Sequence, residues 1–173
     1  MPLDIRPAQT GDLGDMLAIE NAQIRQGVAH FGTEPATLAG LQDDFRKRDP
    51  RHPWLVACDT DLMGYALASP WNPRGAYAWT AVIGVYVRPD AHRLGVGRLL
   101  VTELIAQLER NGVRRLTAVI ALPNPGSVGL FESLEFHPIG VFPQSGYKHG
   151  AWHDVGYWVR QLGDGPPTPI VSA

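Results

Sequence analysis

The chain has 173 residues, a formal net charge of -2 and a sequence pI near 6.3, and 45% of its residues are hydrophobic. This length fits one domain with its own core. The 15 basic residues are scattered among 17 acidic ones, so no basic stripe for nucleic acid is expected. The single cysteine, Cys58, excludes an internal disulfide, and no apolar run approaches the roughly 20 residues of a membrane span. We therefore expect a cytoplasmic protein that binds neither nucleic acid nor membrane.

The first part of the chain predicts two helices that follow a short strand at residues 3–6. The first helix begins after Thr10 and carries apolar residues at helical spacing from Leu13 to Ile24. The second covers residues 36–48 and ends before Pro50, because proline disfavours a helical residue before it. Two strands then follow at 54–58 and 62–68, joined by a short polar turn.

The second part predicts alternating strands and helices. A loop covers 69–75, a long strand covers 77–87, and Leu100, Leu104 and Leu108 mark the buried face of a helix at 98–110. A strand at 116–121, a helix from Asn124 to about 134, and strands at 139–142 and 153–161 complete the set. Strand, helix and strand in succession predict a crossover with parallel pairing.

The order β-α-α-β-β-β-α-β-α-β-β indicates a mixed α/β fold with a central sheet of about seven strands flanked by about four helices. We expect a single domain over residues 1–162. The remaining residues, 163–173, form a tail rich in proline and glycine.

A glycine-rich turn separates the 77–87 strand from the helix that follows it. Arg93 and Leu94 precede Gly95, and Val96, Gly97 and Arg98 lead into the helix. Glycines allow the backbone to approach a ligand, and the free N–H groups of a helix start attract phosphate. The turn lacks the third glycine of a dinucleotide fingerprint and the Gly-Lys-Ser/Thr of a Walker loop. It predicts an anion site.

The motifs around this turn resemble those of the GNAT superfamily of N-acetyltransferases. They comprise Val87-Arg88-Pro89 after a strand, Gly-x-Gly before a helix, and an asparagine, Asn124, before the next helix. Within that superfamily the chain is similar to the phosphinothricin and methionine sulfoximine acetyltransferases. That likeness extends over nearly the whole chain, through the segments 31–35, 53–57, 74–80, 85–87, 118–128 and 146–156.

The resemblance implies an acetyl-CoA-dependent transfer onto a small amino-acid-like amine, with no metal and within a homodimer. It places the pantetheine arm along Val85, Tyr86 and Val87, and the pyrophosphate on the turn from Arg93 to Arg98 with Leu94, Gly95, Val96 and Gly97. Asn124 and Ser127 would contact the arm near the thioester. Arg74 and Tyr77 would bind the acceptor, since a guanidinium suits a planar carboxylate.

Three positions depart from the family pattern. His92 replaces the usual glutamine or arginine, Val82 stands where relatives carry a glutamate proposed to accept the amine proton, and Phe131 replaces a tyrosine thought to protonate the leaving thiolate. Water, Tyr77, His149 or His153 are our candidates for the proton acceptor.

Two alternatives stay open at this point. The acceptor could be an ordinary amino acid, a polyamine or a protein N-terminus, or the chain could be a CoA-binding regulatory module whose catalysis has decayed. Val82 and Phe131 favour the second, whereas the complete glycine turn and Asn124 argue against it.

Overall fold

The computed structural model describes residues 3–164, so the predicted tail lies almost entirely outside the described residues. Within these residues, seven strands and four helices follow one another in the predicted order. The strands are β1 Asp4–Pro7, β2 Trp54–Cys58, β3 Leu62–Pro70, β4 Thr80–Val87, β5 Arg115–Leu122, β6 His137–Lys148 and β7 Ala151–Gln161. The helices are α1 Leu13–Gln26, α2 Leu38–Lys47, α3 Val96–Arg110 and α4 Pro125–Glu132.

All seven strands form one mixed sheet in the order β1-β2-β3-β4-β5-β7-β6. The pair β4–β5 is parallel and every other neighbouring pair is antiparallel. Because α3 connects β4 to β5, this pairing confirms the predicted crossover.

Helices cover the two faces of the sheet and create two cores. Leu100, Leu104 and Leu108 of α3 are fully buried on one face, as their spacing of four predicts. On the other face, Leu13 and Met16 of α1 pack with residues of α2, β2 and β3. None of the helices within residues 3–164 is long and apolar enough to cross a membrane.

The predicted start of β4 was wrong. The strand begins at Thr80, and Tyr77 lies in a short 3-10 turn, Gly75–Tyr77. A hydrogen bond from the Trp71 N–H to the Thr80 carbonyl (3.1 Å) closes this loop, so pairing with β3 resumes only there. Tyr77 is therefore on a turn at the end of the sheet.

The bounds of most other elements differ from prediction by one or two residues, and those of β6 differ more. α3 begins at Val96, which puts Gly97 in its first turn. β6 has 12 residues and extends well beyond 139–142, and β7 begins at Ala151. β6 is an edge strand exposed along most of its length, with two irregularities in its register, so its sequence lacks the alternation typical of a half-buried strand.

Candidate functional site

A groove opens where β4 and β5 separate. Parallel pairing between them ends at Ile83 with Ala118, whereas β4 continues to pair with β3 as far as Val87. Beyond Ile83, the side of β4 that faces β5 carries backbone groups outside the ladder. These groups line a groove of about 710 Å³, into which an extended ligand can add as a strand does.

The start of α3 forms one end of this groove. Arg93 and Gly95 both adopt positive φ, 64° and 83°, which turns the chain sharply into the helix. The Leu99 N–H donates to the Gly95 carbonyl (3.0 Å), so the N–H groups just before Leu99 stay outside the helical ladder. Such groups at the positive end of the helix dipole suit a phosphate.

Gly97 keeps the groove open beside this turn. A Cβ added there would lie 3.4 Å from Leu130 Cδ2 and 3.7 Å from Val87 Cγ2, in the gap between α3, α4 and β4. The missing side chain therefore allows a ligand to approach the backbone at the helix start.

His92 borders the groove at the end of β4. Its Nε2 lies 3.0 Å from the carbonyl oxygen of Val87, a distance at which the ring N–H can donate to that carbonyl. The departure from the family pattern at this position therefore places an imidazole on the strand end.

The opposite wall of the groove contains Asn124, the N-cap of α4. Its Oδ1 accepts from the Ser127 N–H (3.1 Å), as expected for an asparagine at a helix start. Because this bond fixes one end of the amide, its NH₂ group remains the donating end.

The structure brings together all but one of the residues predicted to bind the cofactor. Ten of them border the groove, and Leu94 does not; its side chain is 61% exposed. The bordering residues are Val85, Tyr86, Val87, Arg93, Gly95, Val96, Gly97, Arg98, Asn124 and Ser127.

A second cavity, of about 440 Å³, lies on the face of the sheet covered by α1 and α2. Tyr86 borders both this cavity and the groove, so the two spaces are adjacent at this residue. Glu20, His30 and Tyr65 line the cavity near Tyr86, and Asp44 borders it from α2.

Burial controls the ionisation of this cluster. Burial and, secondly, the nearby Asp44 charge raise the pKa of Glu20 above its ordinary value. Burial and the Lys148 charge lower the pKa of His30. Burial and the charge of Glu20 raise the pKa of Tyr86 to about 12, so its hydroxyl stays protonated at neutral pH.

The hairpin of β6 and β7 holds the segment between α1 and α2, residues 27–37. The buried Lys148 Nζ donates to the His30 carbonyl (2.6 Å), and the His149 Nε2 lies 3.2 Å from the Gly27 carbonyl. Phe31 packs directly on Gly146, where any Cβ would clash with its ring. The Gly-Tyr-Lys-His-Gly motif therefore positions the segment that carries His30.

The residues predicted to bind the acceptor or to take its proton are more dispersed. Arg74 and Tyr77 lie on the exposed loop before β4, and the Arg74 N–H donates to Asn72 Oδ1 (3.0 Å). His153 Nε2 lies 3.0 Å from the Lys148 carbonyl. These residues and His149 all lie within the described part of the chain, and none of them borders the groove or the second cavity.

The two other departures from the family pattern have clear positions. Val82 lies in the middle of the sheet, opposite Ser69 of β3 and Thr117 of β5. Phe131 is buried in the core, with its ring centroid 5.1 Å from that of Phe136. Within residues 3–164, no cluster of three or more His, Cys, Asp or Glu side chains could hold a metal ion.

Sequence reasoning missed both Glu20 and His30. One signal was present: Glu20 lies four residues after Met16 and four before Ile24, within the apolar stripe of α1. A carboxylate in such a stripe is expected to be buried, and buried carboxylates are rare unless they bind a partner group.

Comparison with known proteins extends these observations. The acetyltransferase (GNAT) family model matches residues 16–136. A phosphinothricin N-acetyltransferase of Streptomyces viridochromogenes is 42% identical over 171 residues, covering 98% of this chain and 93% of the relative. An L-methionine sulfoximine/L-methionine sulfone acetyltransferase of Pseudomonas aeruginosa is 34% identical, covering 94% and 96%. The crystal structure of a phosphinothricin acetyltransferase from Sinorhizobium meliloti with acetyl-CoA superposes with a TM-score of 0.93 at 32% identity, covering 97% and 94%.

Proposed function

The chain belongs to the acetyltransferase (GNAT) family and is an acetyl-CoA-dependent N-acetyltransferase of amino-acid-like amines, and we propose that it transfers the acetyl group directly from the thioester to the bound amine. Its acceptors are phosphinothricin, methionine sulfoximine and methionine sulfone. Both substrates are bound together when the transfer occurs.

The observation that carries this proposal is the meeting of two cavities at Tyr86. A groove lined by strand backbone and a helix start suits the pantetheine arm and the pyrophosphate of acetyl-CoA. The second cavity then receives the amine, and Tyr86 marks the boundary where thioester and amine approach. Holding the two reactants in contact supplies about 7–11 kcal/mol of the barrier reduction.

We assign the residues of the groove accordingly. Val85, Tyr86 and Val87 bind the arm through their backbone, and the turn from Arg93 to Arg98 binds the pyrophosphate. Asn124, supported by Ser127, donates near the thioester. Arg74 and Tyr77, on the loop before β4, border neither cavity, so we do not assign them to the acceptor carboxylate.

A homodimer is part of the same proposal. Large apolar side chains are exposed on β6 and β7, among them Ile139, Phe142 and Trp152, each at least 59% exposed. Exposed apolar patches of this kind mark protein interfaces. A monomer mass in sedimentation equilibrium would contradict it.

The cytoplasmic location that we propose follows from the cosubstrate and from the free thiol of Cys58, which suits a reducing compartment. Fractionation that recovers the chain outside the cytoplasm would contradict it.

The experiment that tests the function follows free thiol released from acetyl-CoA against a panel of acceptors. The panel contains methionine sulfoximine, methionine sulfone, phosphinothricin, ordinary amino acids and polyamines. We expect turnover of the first three. Turnover of polyamines alone would contradict the acceptor, and CoA binding without turnover of any amine would support a decayed regulatory module instead.

A further inference from the structure

We propose that Glu20 accepts the proton of the acceptor ammonium, and that His30 holds the Glu20 carboxylate in position. This inference rests on the proposed function, because it assigns a role at the same site. This assignment places the proton acceptor on α1. Val82, on β4, has no group that can accept a proton.

Glu20 has the position that this role requires. Its side chain is 17% exposed and lines the second cavity, and its Oε1 lies 3.4 Å from Nε2 of His30. A partly buried carboxylate whose negative charge is not paired with a cation binds an ammonium group favourably.

The hydrogen bonds of His30 show which of the two groups takes the proton. The Gly32 N–H donates to His30 Nδ1 (3.0 Å), so the Nδ1 lone pair is used and the ring hydrogen lies on Nε2. Nε2, which carries the hydrogen, lies 3.4 Å from Glu20 Oε1. Protonation of Nδ1 would break the bond to Gly32, and burial also lowers the pKa of His30. His30 is therefore neutral, and Glu20 is the proton acceptor of the two.

The pair lies beside the place where the two cavities meet. The ring centroids of His30 and Tyr86 are 5.8 Å apart, and Gln23 and Ala29, which lie between Glu20 and His30 along the chain, border the groove. Val82 and Tyr86 project from the same face of β4, because side chains alternate along a strand and four residues separate them. Glu20 thus approaches the reaction region from the helix layer that covers this face.

The charges around the pair favour a cationic ligand. Asp44 of α2 adds a second negative charge at the cavity and raises the pKa of Glu20 further. Tyr65 of β3 and Tyr86 of β4 face it as neutral hydroxyls, since burial raises the pKa of both. Two cations of the α2 end, Lys47 and Arg48, also border the cavity. Lys47 pairs with Asp43, and the Arg48 guanidinium lies on the carbonyl and the ring of Phe45. Lys148 of β6 is bound to the His30 carbonyl.

The proton step balances without further reagents. The Glu20 carboxylate takes one proton from the acceptor R–NH₃⁺, and the freed nitrogen pair forms the N–C bond to the acetyl carbonyl. The C–S bond then breaks, the thiolate takes the second amine proton by way of water, and Glu20 returns its proton to solvent. The products are the N-acetyl compound, free CoA and one released proton.

The test compares Glu20→Gln with Glu109→Gln, the same change at an exposed position of α3. We expect Glu20→Gln to lower kcat/KM for methionine sulfoximine at neutral pH by about 10²–10⁴-fold, the usual contribution of a general base. The loss should shrink as pH rises, because more of the acceptor is then free amine. CoA binding, measured by calorimetry, should equal that of Glu109→Gln.

The pH profile separates a proton acceptor from a structural carboxylate. Activity of the unmodified chain should fall on the acid side at a pH above 4.5, the ordinary carboxyl value, because the folded pKa of Glu20 is raised. His30→Phe keeps the ring volume and removes the donor, so this acid limb should move to higher pH. A merely structural role would leave the limb in place.

Two results would overturn the proposal. If Glu20→Gln is as active as Glu109→Gln with the same acid limb, Glu20 is not the acceptor, although the proposed function stands. If the unmodified chain acetylates no amine, both fail together.

Discussion

Replacing Lys148 by methionine tests how the hairpin of β6 and β7 holds the site. The chain has two lysines, and this one is 5% exposed with its Nζ 2.6 Å from the His30 carbonyl and 3.5 Å from that of Gln23. A hydrogen bond from a charged group contributes about 1.5–3 kcal/mol, and a contact at 3.5 Å adds little. We therefore expect Lys148→Met to lower the free energy of unfolding by about 1.5–3 kcal/mol.

The assay is equilibrium unfolding in urea, with Lys47→Met as the matched control. Lys47 is 73% exposed and pairs with Asp43 on the surface of α2, so its replacement should change stability little. Lys148→Met should also reduce turnover, because the segment that carries His30 loses the hydrogen bond from Lys148. It should leave CoA binding unchanged. Equal stability of the two variants would refute the reasoning that Lys148 holds this segment.

Two further predictions concern the groove and a buried histidine. Gly95 and Gly112 both have φ near 83° with nothing within 4 Å of an added Cβ, so alanine at either should cost about 1–2 kcal/mol of strain. In calorimetry only Gly95→Ala should weaken CoA binding, by up to about 30-fold, and equal affinities would contradict the pyrophosphate assignment. His52 is buried with neither ring nitrogen hydrogen-bonded in the described chain, and burial lowers its pKa below 6.5. The unfolded state therefore binds the proton at a higher pH than the folded state does, and stability falls as pH drops below 6.5. In urea unfolding, His52→Leu should make this loss of stability smaller. An unchanged loss would show that His52 does not cause it.

The elements that were predicted well are those whose periodicity reflects burial. Leu100, Leu104 and Leu108 follow the helical period of α3 because that helix packs one face on the sheet. The start of β4 could not be placed, because the apolar residues before Thr80 belong to a loop closed by the Trp71 N–H. β6 was underestimated because an exposed edge strand has no buried face to impose alternation.

The same distinction applies to the two parts of the candidate site. The groove at the end of β4 could be predicted because strand, glycine turn and helix are consecutive, and short-range sequence encodes their geometry. The pair Glu20–His30 could not, because it spans the end of α1 and is set by Lys148, which lies 118 residues from His30 along the chain. Contacts over such a separation leave no local pattern in one sequence.

The measurement that tests the central claim most directly is the initial rate of thiol release with acetyl-CoA and methionine sulfoximine both varied. Direct transfer within a ternary complex predicts turnover, with reciprocal plots that intersect and an N-acetylated product identified by mass spectrometry. Parallel plots would indicate an acetylated enzyme intermediate and contradict direct transfer. No product at any concentration would contradict the proposed acceptor.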